Sequence, residues 1–92
     1  MLDPVRVYNE PCDMVMAKDG RPRSFEWRGR QYAVVKVLED WESTRPWWRE
    51  PLPGPLDHVV YHYRVRASST RGQGVIEVRR QYEGWFVTAV LD

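Results

Sequence analysis

Over residues 59–68 the chain alternates without a break, with Val59, Tyr61, Tyr63, Val65 and Ala67 on one side and Val60, His62, Arg64, Arg66 and Ser68 on the other. Side chains that repeat every second residue share a face only in an extended strand, so this stretch reads as a half-buried β-strand. Its unpaired backbone groups demand neighbouring strands. Residues 74–82 and 85–91 supply two, separated by Glu83-Gly84 as a two-residue hairpin turn, and residues 68–73 form the turn that precedes them. Residues 59–91 are therefore expected to be a three-stranded antiparallel meander.

Upstream, residues 30–38 are β-branched and aromatic on both faces (Tyr32, Val34, Val35, Val37), the pattern of a long strand covered on both sides, with a bend near Glu39-Asp40. Phe25 and Trp27 alternate with Glu26 and Arg28 before it, and Arg28-Gly29-Arg30 reads as a tight turn or a glycine bulge. Residues 5–8 and 14–17 read as short strands flanking Asn9-Glu10-Pro11. A helical option exists only over residues 38–44, which lack an apolar stripe wide enough to require it. The expected fold is all-β: a single domain over residues 1–92, a small antiparallel SH3-like barrel or strongly bent sheet of about five to seven strands. At 92 residues and 11.0 kDa, folding hides roughly two-thirds of the chain's surface, enough for one core. Closure would let Trp27, Val35, Val37, Tyr61, Tyr63, Val65, Val78, Trp85 and Val87 share it.

Between these strands lies the most distinctive stretch, the Pro/Trp-rich loop over residues 45–57, which holds four of the seven prolines. Proline excludes a central strand or a helix there and favours extended polyproline geometry over residues 51–55. Loops of this length are usually kept for function.

Composition narrows the function classes. Five tryptophans and 42% hydrophobic residues argue against disorder. No run approaches the roughly 20 apolar residues that cross a bilayer, and the start of the chain lacks the features of a signal peptide. The lone Cys12 fits a reducing compartment, so a cytoplasmic location is expected. Net charge is +1, too small for a global field toward nucleic acid. Locally, residues 18–36 carry a balance of +4 and residues 37–58 one of −3.

No constellation for catalysis or a cofactor emerges. His58 and His62 would stand about 13 Å apart on a strand, too far for one metal ion. Cys12 has no cationic neighbour in sequence to activate it, the serines fall in turns, and Gly72-Gln73-Gly74 leads into a strand rather than a helix N-terminus. Glu39, Asp40 and Glu42 form a carboxylate run of the kind that rims a solvated strand end. The chain is therefore expected to be a non-enzymatic binding module.

The leading candidates for partner binding are Trp47 and Trp48, flanked by Arg45 and Arg49, because aromatic and arginine anchors dominate interface energetics. The structural alternative is a lid, with one or both indoles plugging an open end of the barrel. A second reading is a single-stranded nucleic-acid binder, in which Arg28, Arg30, Arg64 and Arg66 track phosphates while the indoles stack on bases at roughly 1–3 kcal/mol each. On the outward face Arg64 and Arg66 would lie beside Glu77, Arg79 and Gln81, where cross-strand ion pairing is the plainer role. A third option makes the indoles a homodimer contact, so the chain is expected to be a monomer or a homodimer.

Residues 25–32, 37–41, Trp47-Trp48, Tyr63-Arg64-Val65, residues 74–78 and the closing Trp85-Phe86-Val87-Thr88-Ala89-Val90-Leu91-Asp92 resemble a family of small actinobacterial domains of unknown function, over about residues 20–92. The chain is also similar to the tail of polymerase-like proteins that accompany error-prone DNA synthesis. The resemblance implies an accessory role in a DNA repair or translesion synthesis assembly, with another protein as partner, and carries over no site residues.

Overall fold

The computed structural model describes residues 5–46, 48–49 and 51–91. Seven strands, β1 (Arg6–Pro11), β2 (Asp13–Met16), β3 (Pro22–Trp27), β4 (Arg30–Thr44), β5 (Val59–Ser69), β6 (Gly72–Gln81) and β7 (Gly84–Leu91), are joined by turns and one 3-10 turn at Pro55–His58. All pairings are antiparallel, in the order β1-β7-β6-β5-β4-β3-β2. The all-β expectation is met, and among the described residues no helix is long and apolar enough to cross a membrane.

The shape follows from one covalent fact. β1 and β2 are the two edges of the sheet, yet only Cys12 separates them in the chain. The Cα atoms of Pro11 and Asp13 can stand no more than about 7 Å apart, so the sheet must curl until its edges approach. The result is a half-barrel. Its seam is fastened by backbone and side chains together. The Cys12 N–H donates to the Trp85 carbonyl at 3.0 Å. Glu10 Oε1 accepts from Trp27 Nε1 (2.9 Å) and Arg28 Nε (2.8 Å), and its Oε2 accepts from Arg28 Nη2 (2.6 Å). Tyr8 meets Trp27 edge-on at 5.0 Å, and the Arg28 guanidinium lies over both rings at 4.9 and 5.0 Å. These contacts clasp edge strand β1 to β3 across the gap.

The same clasp explains the β3–β4 turn, the tight turn read from Arg28-Gly29-Arg30. Trp27 pairs with Arg30, leaving Arg28 (φ 53) and Gly29 (φ 73) as a two-residue loop. Such loops match the twist of the flanking strands but need positive φ at both positions. Arg28 accepts that left-handed backbone, which costs roughly 1–2 kcal/mol in an L-residue, and its ion pair with Glu10 and its two ring contacts hold it there.

Inside the curl, Phe25, Trp27, Val65, Ala67, Ile76, Val78 and Val87 form the buried core. Phe25 stacks on Tyr32 at 5.0 Å. The expected meander is present as β5, β6 and β7. Its first turn is shorter than read from sequence, Thr70-Arg71 joining β5 to β6, and its second is displaced by one residue, Tyr82-Glu83 rather than Glu83-Gly84 joining β6 to β7. Gly84 instead opens β7 at φ 130.

Three other expectations are corrected. Residues 38–44 are strand, β4 continuing to Thr44, with a bulge at Leu38 next to the bend expected at Glu39-Asp40. β4 is not covered on both sides, because its register slips at Val35 and again at Leu38; the extra residue Val35 turns outward and is 54% exposed, while Val34 and Val37 pack on the core. Tyr61, also placed in the core by its alternation, is 36% exposed because β4 and β5 run on past the point where the core ends. At the N-terminus, Asn9, Glu10 and Pro11 belong to β1 instead of a connecting turn.

Candidate functional site

The described residues of the 45–57 loop are tied down at both of its ends. At its base the Arg45 N–H donates to the His58 carbonyl at 2.8 Å, and Arg49 N–H donates to Pro46 O at 3.0 Å. At its far end Gly54 N–H donates to Asp57 Oδ2 at 2.9 Å, and the buried His58 ring contacts Gly54 O through Nδ1 at 3.2 Å. The Arg45 side chain, mostly buried, grips Glu83 with both amino groups at 2.6 and 3.1 Å. Arg45 is thereby a tether that fixes the loop to the β6–β7 turn.

The tether continues across the sheet. Gln81 Nε2 donates to Glu83 Oε1 at 3.0 Å, Arg79 Nε donates to Gln81 Oε1 at 2.6 Å, and Arg79 Nη2 donates to Asn9 Oδ1 of β1. Arg79 also lies over Phe86 at 5.2 Å. A line of polar contacts therefore links the loop base to the edge strand at the seam.

The tether is charge-dependent. Hydrogen bonds from Arg45 pull the Glu83 carboxyl down from 4.5 to about 2. The Arg28 hydrogen bond likewise lowers Glu10. Both carboxyls titrate lower in the folded chain than in the unfolded one, so their stabilisation is complete above about pH 4.5 and is lost as pH falls through the folded values. Thermal melts followed by circular dichroism are expected to hold steady from neutral pH to about 5 and to drop below 4.5. Glu83→Gln should show a shallower acid decline; identical slopes in the two proteins would mean that the tether adds no ionisable stability.

Around this anchored loop one end of the half-barrel presents large apolar groups to solvent. Trp48 is 69% exposed, Leu56 79% and Tyr82 51%. Leu56, Tyr82, Tyr61, Val59 and Arg80 line a single concavity of about 290 Å³ together with Asp57 and Gln81. Trp48 is three residues from Arg45, whose guanidinium binds the residue next to Tyr82, so indole and concavity belong to the same end. With most of its surface wet, Trp48 does not form the lid that the sequence allowed. Trp47 lies outside the described residues. Arg49 is exposed.

The arginines of the nucleic-acid reading do not form one stripe. Arg28 is committed to Glu10 at the seam. Arg64 is held by Glu77 at 2.7 Å and Glu39 at 3.4 Å and reaches the Trp41 ring at 6.0 Å, the cross-strand pairing expected of it. Arg30 is half-buried and Arg66 exposed. Neither forms an ion pair among the described residues.

Both histidines have structural surroundings. His62 stacks flat on Trp41 at 5.2 Å and shares a 2.7 Å hydrogen bond with Ser43 Oγ; burial, then Arg79, lowers its pKa. Cys12 sits half-buried at the seam, where burial pushes its thiol up to about 11, which disfavours the thiolate.

Sequence reasoning singled out the loop's tryptophans and arginines but missed Leu56, Tyr61, Arg80 and Tyr82. The signal for two of them was present: Leu56 stands between Pro55 and Asp57 in an otherwise polar return, and Tyr82 abuts a turn. A family model described as Domain of unknown function (DUF6504) matches residues 1–92. That match takes in the segment before residue 20, where no likeness was read from the sequence. No curated protein and no solved structure matches the chain.

Proposed function

We propose that this chain, which belongs to the DUF6504 family of domains of unknown function, is a non-enzymatic protein-interaction module that holds its partner at the loop end of the half-barrel. The observation that carries the reading is the grouping of Leu56, Tyr61, Tyr82 and Arg80 around one concavity, next to the turn to which Arg45 binds the loop that carries the exposed Trp48. Exposed large apolar groups gathered on a preordered rim are the features that mark interaction surfaces. Aromatic and arginine side chains are the types most often found to dominate binding energy there. A tethered loop also loses little conformational freedom on binding, which favours affinity. The similarity to the tail of polymerase-like proteins directs the search for the partner to DNA repair or translesion synthesis assemblies.

Single-stranded nucleic acid is the weaker reading, because two of the four arginines it needs are already neutralised by carboxylates. The test is site-specific photocross-linking in cells with a photoreactive phenylalanine at position 82, 56, 18 or 7. A protein adduct common to positions 82 and 56, and absent at the exposed Lys18 and Val7, is the expected result. Adducts at no position, or the same adducts at all four, would overturn the proposal.

A further inference from the structure

We infer that the concave sheet face beside this rim takes a lysine or arginine side chain from an extended segment of the protein partner. The inference rests on the protein-interaction reading and names the chemistry that the partner must bring.

β3 pairs with β4 only as far as Ala33, whereas β4 and β5 continue together to Thr44 and Val59. β6 runs on beside β5 as far as Arg80, opposite Tyr61, so beyond the end of β3 the inner face of β4 and β5 is bounded by β6 on one side and by no strand on the other among the described residues. There Asp40 stands opposite Tyr63, and Glu42 opposite Tyr61. Directly opposed residues on antiparallel strands share a face, so two carboxylates and two phenol rings line the same wall. Together with Asp19 and Arg21 they bound a cavity of about 380 Å³, with Trp41 and His62 at its margin.

Charge selects the occupant. Three carboxylates and one guanidinium leave the lining two charges negative. Arg21 answers Asp40 at 3.2 Å and Asp19 at 4.0 Å. Glu42 forms no ion pair among the described residues. A cation placed here meets the open carboxylate of Glu42 and the electron-rich faces of Tyr61 and Tyr63, which attract it by the ring quadrupole. Arg80 lines the adjoining cavity, which shares Tyr61. Its Nη1 lies 3.8 Å from where a Cβ on Gly20 would stand, between Asp19 and Arg21, so with Arg80 counted the concave face keeps one net negative charge, and the carboxylate without an ion pair among the described residues is that of Glu42. A carboxylate without an ion-pair partner at the edge of a concave face attracts an incoming cation.

Random-peptide display on the full chain tests the inference, with Glu42→Lys and Glu42→Gln as companions. Glu42 is exposed, so neither change disturbs the core; matching thermal melts confirm the fold. Peptides enriched on the wild-type chain are expected to carry Lys or Arg next to an apolar residue. They should bind Glu42→Lys about tenfold or more weakly, since like charge meets like charge, with Glu42→Gln between. Enriched peptides without a basic residue, or equal binding to Glu42→Lys, would overturn the inference. If those same peptides lost binding to Leu56→Ala, the interaction reading would stand without it. Failure to enrich any peptide would overturn the inference as well, and the cross-linking result decides the interaction reading separately.

Discussion

Trp27→Ala is expected to cost about 3–5 kcal/mol, the range seen when a buried tryptophan or phenylalanine is truncated. A domain of this length has a total stability of roughly 5–14 kcal/mol, so the variant should sit near the edge of folding. Three losses coincide at this residue. The indole fills the core beside Tyr32, at a ring separation of 6.2 Å. It is the surface against which edge strand β1 packs through Tyr8. Its N–H also satisfies Glu10, which in turn holds Arg28 in its left-handed backbone. Urea denaturation followed by far-ultraviolet circular dichroism measures the cost. Trp27→Phe keeps most of the packing and deletes the N–H, so it should cost less, about 1–2 kcal/mol for the hydrogen bond left unmade. A loss below about 1 kcal/mol for Trp27→Ala, well outside the range for buried aromatics, would mean that the sheet edges are joined by something other than this clasp.

How much of this was legible in the chain depends on the reach of each interaction. The meander over β5, β6 and β7 could be read because strict alternation and turn residues are local signals, and nothing interrupts them between Val59 and Leu91. β4 was harder. The register slips at Val35 and Leu38 depend on which partner residues of β5 they oppose, and one strand's pattern does not contain that information. Alternation also reports a face but not a depth, which is why Tyr61 resembled Tyr63 in sequence although only Tyr63 packs on the core. The curl of the sheet hangs on Cys12, a residue with nothing in its neighbours to mark it as the joint between two edges. At the candidate site, the proline content marked residues 45–57 as a loop, and their described residues lie outside every strand. The part played by Arg45 was hidden because its partner, Glu83, lies 38 residues away. Arg28 looked like a free cation for the same reason, its carboxylate being brought to it by folding, whereas the pairing of Arg64 with Glu77 could be read from the alternation of neighbouring strands.

A second large effect is expected at the rim. Leu56 and Tyr82 both line the Arg80 concavity without forming part of the core cluster, so their removal should leave the fold intact. Residues of this kind at the centre of an interface typically cost 2 kcal/mol or more when truncated to alanine, equivalent to about 30-fold in affinity. Trp48→Ala should act in the same direction, because its exposed indole lies on the loop that Arg45 binds to Glu83, the residue after Tyr82. Arg45→Ala should weaken binding by another route, releasing the loop and restoring the ordering cost that the tether removes.

The most direct measurement is the dissociation constant of the partner cross-linked at position 82, taken by calorimetry for the wild-type chain and for Leu56→Ala/Tyr82→Ala. A loss of about 30-fold or more with an unchanged melting temperature is the expected result. Unchanged affinity in a variant that melts like the wild type would contradict the assignment of this end of the half-barrel as the binding surface.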